Sequence, residues 1–291
     1  MFKGGNPLVR VGAVVTSALL VILTLVGAGP AKNPAKDRPI RPVGVPGRYM
    51  LTQSFTPEQL YSWRFPTNQP GGWTCTVSQV QLRRLPWMRP QQSVIDLHTT
   101  GADGNCAVIQ STKLFPTTAG VIQARIYLSA IPGQPTQVAD WAAMWMYGPN
   151  WPTDGEIDAV ESSYGSSAVT YHYGSSDPSS PSYNLSYTTY RPLYPVNAAG
   201  TYAQPLYVTG PNVRPGWNTV DIAFSDHTIR IYYNGTLYTT AEGSYVTGQP
   251  AYLDFDDVSQ AGENTLGIPG DMLVSSVQVF SPAGPPGHSS R

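Results

Sequence analysis

The sequence predicts an all-β protein built from two stacked antiparallel sheets, and three observations carry that expectation. Glycine and proline each number 28, tyrosine 18 and tryptophan 7, while charged residues make up only 12%. That mixture is poor in helix formers and rich in strand and turn formers. Second, Val121 to Leu128 alternates, with Ile122, Ala124, Ile126 and Leu128 on one face, which is the period of a half-buried strand. Third, Thr228 to Thr240 reads as a hairpin around Asn234-Gly235. Asn-Gly is the preferred pair for a type I′ turn, because both central positions need positive φ. Trp217 to Ser225 and Met272 to Phe280 add further strands. Many strands, few plausible helices and no internal repeat point to one sandwich, for which 291 residues are ample.

The chain ends read differently. Lys3 and Arg10 precede an apolar run from Val11 to about Gly29, and Val26-Gly27-Ala28 offers small residues to a signal peptidase. Residues 1–28 are therefore a signal peptide or, since the run is long enough to span a bilayer, a retained membrane anchor. Lys32, Lys36, Arg38 and Arg41 just beyond it fit poorly with translocation. Either way the folded part is expected outside the cell, secreted or anchored. Residues 29–48 are punctuated by Pro30, Pro34, Pro39, Pro42 and Pro46 and read as an extended linker. The folded domain is expected over 49–281, followed by a disordered tail over 282–291. Cys75 and Cys106 are expected to form a disulfide in an exported protein; zinc would need about four ligands. A net charge of -1 gives no field for nucleic acid or a charged membrane. The abundant Tyr and Trp suit sugar faces as well as a β core. A monomer without cofactor or metal is expected.

The informative stretch is Trp151 to Ser162. Glu156, Asp158 and Glu161 are three carboxylates within six residues of an otherwise apolar strand. Strict alternation puts Glu156 and Asp158 on one face and Glu161 on the other. One extra residue at Ala159-Val160, a β-bulge, would bring all three to the same face. Cleaving a glycosidic bond needs such a set: one carboxylate to attack the anomeric carbon, and one protonated acid to release the leaving oxygen. Retaining enzymes hold the two about 5–5.5 Å apart. Like charges this close cannot all stay ionised, so one becomes the proton donor. A calcium loop would space its ligands on a Gly- and Asn-rich turn instead.

Gly155-Glu156-Ile157-Asp158-Ala159-Val160-Glu161 resembles the active-site strand of glycoside hydrolase family 16 in its bulged, laminarinase-like form. The resemblance extends in the right order through Ala107–Phe115, Gly120–Ile126, Trp141–Asn150, Val169–Gly174, Trp217–Val220, Ile229–Gly235 and Met272–Phe280. It implies a β-jelly-roll with a concave substrate cleft. Glu156 would be nucleophile, Asp158 its assistant and Glu161 acid/base. Trp145 and Trp151, and less directly Trp141, would shape sugar subsites, and His172 would sit beside the acid/base. Arg125 could reach a sugar hydroxyl or simply be an outward strand arginine. Ser275 stands where some members have a calcium-binding aspartate, so calcium is not expected. Asp254, Asp256 and Asp257 replace a usually neutral cleft strand and are expected to bias the cleft against anionic glycans. The implied activity is retaining endo-hydrolysis of a neutral polysaccharide, foremost a β-1,3-glucan. Another β-glycan such as mixed-linkage glucan or galactan, transglycosylation, and non-catalytic glucan binding are the alternatives.

Overall fold

A computed structural model describes residues 41–67, 74–86, 93–163, 166–174, 185–188, 213–243, 246–259 and 269–283. The expected signal or anchor, the linker up to residue 40 and the tail beyond 283 lie outside the described residues. In chain order the main elements are β1 (Tyr49–Phe55), α1 (Pro57–Leu60), β2 (Val80–Arg84), β3 (Ser93–Thr99), β4 (Cys106–Gln110), β5 (Ala119–Leu128), β6 (Ala130–Ile131), β7 (Gln134–Val138) and β8 (Trp141–Tyr147). They continue with β9 (Glu156–Ser163), β10 (Ser166–Tyr173), β11 (Leu185–Thr188), β12 (Gly216–Ser225), β13 (Thr228–Tyr233), β14 (Thr236–Glu242), β15 (Tyr252–Val258) and β16 (Gly270–Pro282).

Two antiparallel sheets form the sandwich. One runs β14-β13-β12-β5-β16-β3-β2, with β1 added along β16; the other runs β11-β10-β9-β8-β15-β4. Period-two alternation explains the core. Ile122, Ala124, Ile126 and Leu128 of β5 meet Met144 and Met146 of β8 and Leu253 and Phe255 of β15 in one cluster. Burying each such large side chain contributes roughly 1.5–3 kcal/mol. The β13–β14 hairpin turns at Asn234 and Gly235 with φ of 50° and 81°, the two positive values that its Asn-Gly pair favours.

Two details extend the expected domain at its ends. Part of the expected linker lies on the outer face of the larger sheet. Pro42 is buried, and Val45 and Tyr49 pack on Val121, Ala223, Tyr232 and Phe280. Gly44 permits this close approach: at φ +70° its missing Cβ would lie 1.9 Å from the Gly235 carbonyl oxygen. At the other end β16 continues to Pro282, which pairs with Tyr49, and the Ala283 N–H donates to the Arg48 carbonyl at 2.8 Å. The Cys75–Cys106 disulfide, with Cα atoms 4.4 Å apart, ties the segment before β2 to the start of β4.

Candidate active site

The site is a lattice of side chains on the open face of the six-stranded sheet. Its register sets three rows across the strands. His172, Glu156, Tyr147 and Tyr252 are successive cross-strand neighbours. The next row is Thr170, Asp158, Trp145, Asp254 and Gln110. The third is Ala168, Glu161, Ala143, Asp256 and Val108. Glu161 reaches this face because β9 breaks register. Trp145 pairs with Asp158 and Met144 with Val160, which leaves Ala159 as the extra residue. The same shift falls between Ala168 and Thr170 on β10. Ala159 and Val160 are both fully buried. The Tyr233 hydroxyl of the opposite sheet donates to the Ala159 carbonyl at 2.5 Å, so the core pins the bulge.

Two of the three carboxylates are withdrawn from water. Glu156 and Asp158 are 9% and 6% exposed. Burial pushes the Glu156 carboxyl up to about 8; Glu161 and Asp256 add repulsion, while the Trp151 indole, which donates to Glu156 Oε2, opposes the rise. Burial also drives Asp158 well above the carboxylate range, helped by the charges of Glu156 and Glu161, and its Oδ2 has no hydrogen-bond partner. Glu161 is half-buried; burial raises it, and the Thr170 hydroxyl, donating at 3.0 Å, pulls it back. Like-charge clusters of this kind share protons and titrate as a unit.

The other expected residues fall as follows. His172 sits opposite Glu156, with Nε2 3.6 Å from both Glu156 Oε1 and Asp158 Oδ2. The resemblance implied a place beside Glu161; in the cross-strand register the neighbour of His172 is Glu156, while Glu161 pairs with Ala168. Trp151 lies in the loop before β9 and touches Glu156 directly. Trp145 is only 6% exposed, stacks on Tyr147 at 4.8 Å, and donates its indole N–H to Asp256 at 2.9 Å. Trp141 is half-buried against the cluster around the disulfide, next to Val258 on the same face. Arg125 lies on the other sheet, 5.1 Å above the Trp217 ring, and takes the outward-arginine reading.

The acidic strand β15 also departs from expectation. Asp254, Asp256 and Asp257 are 0%, 7% and 1% exposed. Burial raises all three, Asp256 to about 7 and the others well above the carboxylate range. Burial disfavours their charged forms, which opposes the negative field expected of this strand. Asp257 even lies on the core face, since alternation separates it from Asp254 and Asp256.

Sequence reasoning missed Tyr147, Tyr252 and Arg64. Tyr147 meets Tyr252 edge-on at 6.1 Å, and the Arg64 guanidinium lies 4.4 Å over Tyr252. Gln110 Nε2 donates to the Tyr147 hydroxyl at 2.5 Å and to Asp254 at 3.0 Å. Parity offered a signal for Tyr147, two residues beyond Trp145 on the same strand. Two groups could hold a cation by spacing: Glu156, Asp158 and His172, and on the other sheet Asp96, His98 and Asp271. In the second, the Arg83 guanidinium already bonds both aspartates.

Residues 93–184 match the model of the XgeA-like catalytic domain of glycoside hydrolase family 16. No curated protein matches the chain by sequence. Among solved structures, an endo-β-1,3-glucanase from Pyrococcus furiosus superposes with a TM-score of 0.55 at 18% identity, covering 81% of this chain and 96% of that one. A family 16 endo-glucanase from Bacteroides ovatus gives 0.53 at 20% identity over 75% and 94%. The laminarinase catalytic domain from Thermotoga maritima gives 0.51 at 18% identity over 81% and 100%. At these identities the likeness establishes the jelly-roll fold.

Proposed function

We propose, on the premise that the chain belongs to glycoside hydrolase family 16, that it is an exported retaining endo-β-glycanase acting on a neutral β-1,3-glucan. The register break at Ala159 carries the reading, because it brings Glu156, Asp158 and Glu161 to one open face. A Glu156 oxygen attacks the anomeric carbon, and the bond to the leaving oxygen breaks as Glu161 gives that oxygen its proton. Glu161 then takes a proton from water, whose oxygen displaces Glu156 and restores the configuration. The Trp151 N–H stabilises the ionised form of Glu156. His172, when protonated, does the same for Glu156 and Asp158 at 3.6 Å. Asp158 between them assists the nucleophile.

Trp145, Trp151, Tyr147 and Tyr252 supply ring surface for pyranose C–H groups. Trp141 extends that surface towards the disulfide. Mixed-linkage glucan is the second substrate reading, favoured by a fold neighbour, the family 16 protein of the Bacteroides ovatus mixed-linkage glucan PUL in complex with its G4G4G3G product. A glucan-binding protein without activity would have no use for two glutamates held on one face at the cost of their burial. Export rests on the N-terminal apolar run; among the described residues no helix is long and apolar enough to cross a membrane.

The test is reducing-sugar release from laminarin, mixed-linkage glucan and a galactan, with NMR of the first-formed anomer. Retention and preference for laminarin are expected. An inverted product defeats the double-displacement assignment. Binding without release for wild type makes the protein a lectin.

A further inference from the structure

The Trp151 indole reaches Glu156 from the loop between β8 and β9, so its aim depends on what closes that loop. The Gly148 N–H donates to the Gly155 carbonyl at 3.2 Å, which brings the two ends together. Within them Asp154 spans the turn that carries Trp151. Its Oδ2 accepts the Asn150 backbone N–H at 2.9 Å and the Asn150 Nδ2 at 3.0 Å. Its own N–H donates to the Asn150 carbonyl at 3.1 Å. Glycine is required opposite, because a Cβ on Gly148 would lie 2.1 Å from the Asp154 Cβ. From the segment between β14 and β15, the Thr247 hydroxyl donates to the Asp154 carbonyl at 2.6 Å, and the Thr247 N–H donates to the Tyr171 hydroxyl at 3.0 Å. Tyr171 belongs to the core on β10, so Thr247 ties the loop to the sandwich. None of these contacts involves a reacting group.

We propose that Asp154 is a positioning residue of the active site: by closing the turn at Asn150, with Thr247 holding its carbonyl, it aims the Trp151 N–H at the nucleophile Glu156. The inference rests on Glu156 being that nucleophile. An indole on an open loop divides its time among many orientations and gives its N–H to water. A closed loop gives up that freedom on folding, before substrate arrives, so the donor is in place when the nucleophile needs it.

A double-mutant cycle tests whether Asp154 acts through Trp151. Asp154→Ala should lower kcat/KM on laminarin by about three- to ten-fold. In the Trp151→Phe background, where no N–H is left to aim, the same substitution should cost less than about two-fold. Asp154→Asn keeps an acceptor oxygen for the Asn150 N–H and should return kcat/KM to within about two-fold of wild type. A second readout needs no substrate. Solvent exchange of the Trp151 indole N–H, assigned by its loss in Trp151→Phe, should quicken by about ten-fold in Asp154→Ala, while the Trp145 indole, bonded to Asp256, keeps its rate. An Asp154→Ala loss of equal size in both backgrounds overturns the proposal, as does an unchanged Trp151 exchange rate. Should Asp154→Ala not fold, Thr247→Val, which removes the hydroxyl bond and keeps the shape, enters the same cycle with the same expected outcomes. A wild type inactive on every β-glycan would defeat the hydrolase reading separately, and the exchange rates would then decide whether Asp154 holds the indole on Glu156.

Discussion

The outer faces of the two sheets both carry carboxylates withdrawn from water, and they handle them in opposite ways. On the larger sheet Asp96 is 2% exposed, and the Arg83 guanidinium meets it at 2.5 Å and reaches Asp271 at 3.4 Å. His98 joins Asp271 at 2.6 Å. On the smaller sheet Glu156, Asp158, Glu161, Asp254 and Asp256 share one face, where His172 approaches Glu156 and Asp158 at 3.6 Å and the Arg64 charge acts on Asp254. A paired acid gains attraction to offset its burial; acids facing one another add repulsion to it. Folding alone would select the first arrangement. The second persists where proton transfer uses it.

The comparison predicts its largest effects on the face where acids meet one another. Glu156→Gln should cost roughly 10⁴-fold or more in kcat with the fold intact, since it removes the attacking oxygen. Glu161→Ala should cost about 10²–10⁴-fold on laminarin. It should recover partly with azide, or with aryl glycosides whose leaving groups need no proton. A Glu161→Ala enzyme as slow on an activated aryl glycoside as on laminarin would remove Glu161 from the acid role.

A smaller effect sharpens the electrostatics. Trp151 donates to Glu156 and holds its carboxyl below where burial alone would put it. Trp151→Phe keeps ring surface and loses the donor. A hydrogen bond to a charged group is worth about 1.5–3 kcal/mol, roughly ten-fold or more in kcat/KM. The sign for pH follows: without the donor the ionised nucleophile is disfavoured, so the acid limb of kcat/KM should move to higher pH. An unmoved limb with a raised KM would leave Trp151 as a sugar platform only.

The two faces also differ in how far they could be read in advance. Strands with clean alternation, such as Val121 to Leu128, and the Asn234-Gly235 turn were legible because local chemistry sets them. The bulge was legible too, since three acids two and three residues apart cannot share a face without it. The partner of His172 was not, because cross-strand register depends on a bulge in the neighbouring strand. Nor was the burial of Asp254, Asp256 and Asp257: their sequence run shows charge, while parity and the rings around them decide exposure. Packing of residues 42–45 on the domain was hidden by proline-rich composition, and Gly44 was its one local sign.

On the paired side the expected effects concern stability. Arg83→Ala leaves Asp96 buried without its guanidinium, which should cost about 1–3 kcal/mol in denaturant unfolding, at the lower end because the Arg83 side chain is 40% exposed. Activity at a temperature well below the transition should not change. Loss of activity in a folded Arg83→Ala protein would mean that the outer face is coupled to the site and the comparison drawn too sharply.

Asp221 is the most discriminating case, because it sits on the larger sheet with Gln123 as its partner in place of a cation. It is fully buried, accepts from Gln123 Nε2 at 2.7 Å, and its Oδ2 has no partner. Burial pushes its carboxyl from 3.8 to about 7, and the Gln123 bond opposes the rise. The folded protein therefore holds this proton more tightly than the unfolded chain. Its contribution to stability is fully present below pH 3.8 and is lost as pH rises through about 7. Asp221→Asn cannot ionise, so it should match wild type most closely in acid and exceed it above neutrality, by on the order of 2 kcal/mol. Its amide nitrogen inherits the unpartnered position and subtracts a nearly pH-independent amount. Unfolding free energies of the two proteins, measured from acid to alkaline pH, isolate the slope from that offset. A flat difference would mean that Asp221 is ionised in the fold and solvated or paired after all. A rising difference would show that an unpaired acid on the outer face costs stability, the same cost that the open face bears where its acids are set to move protons.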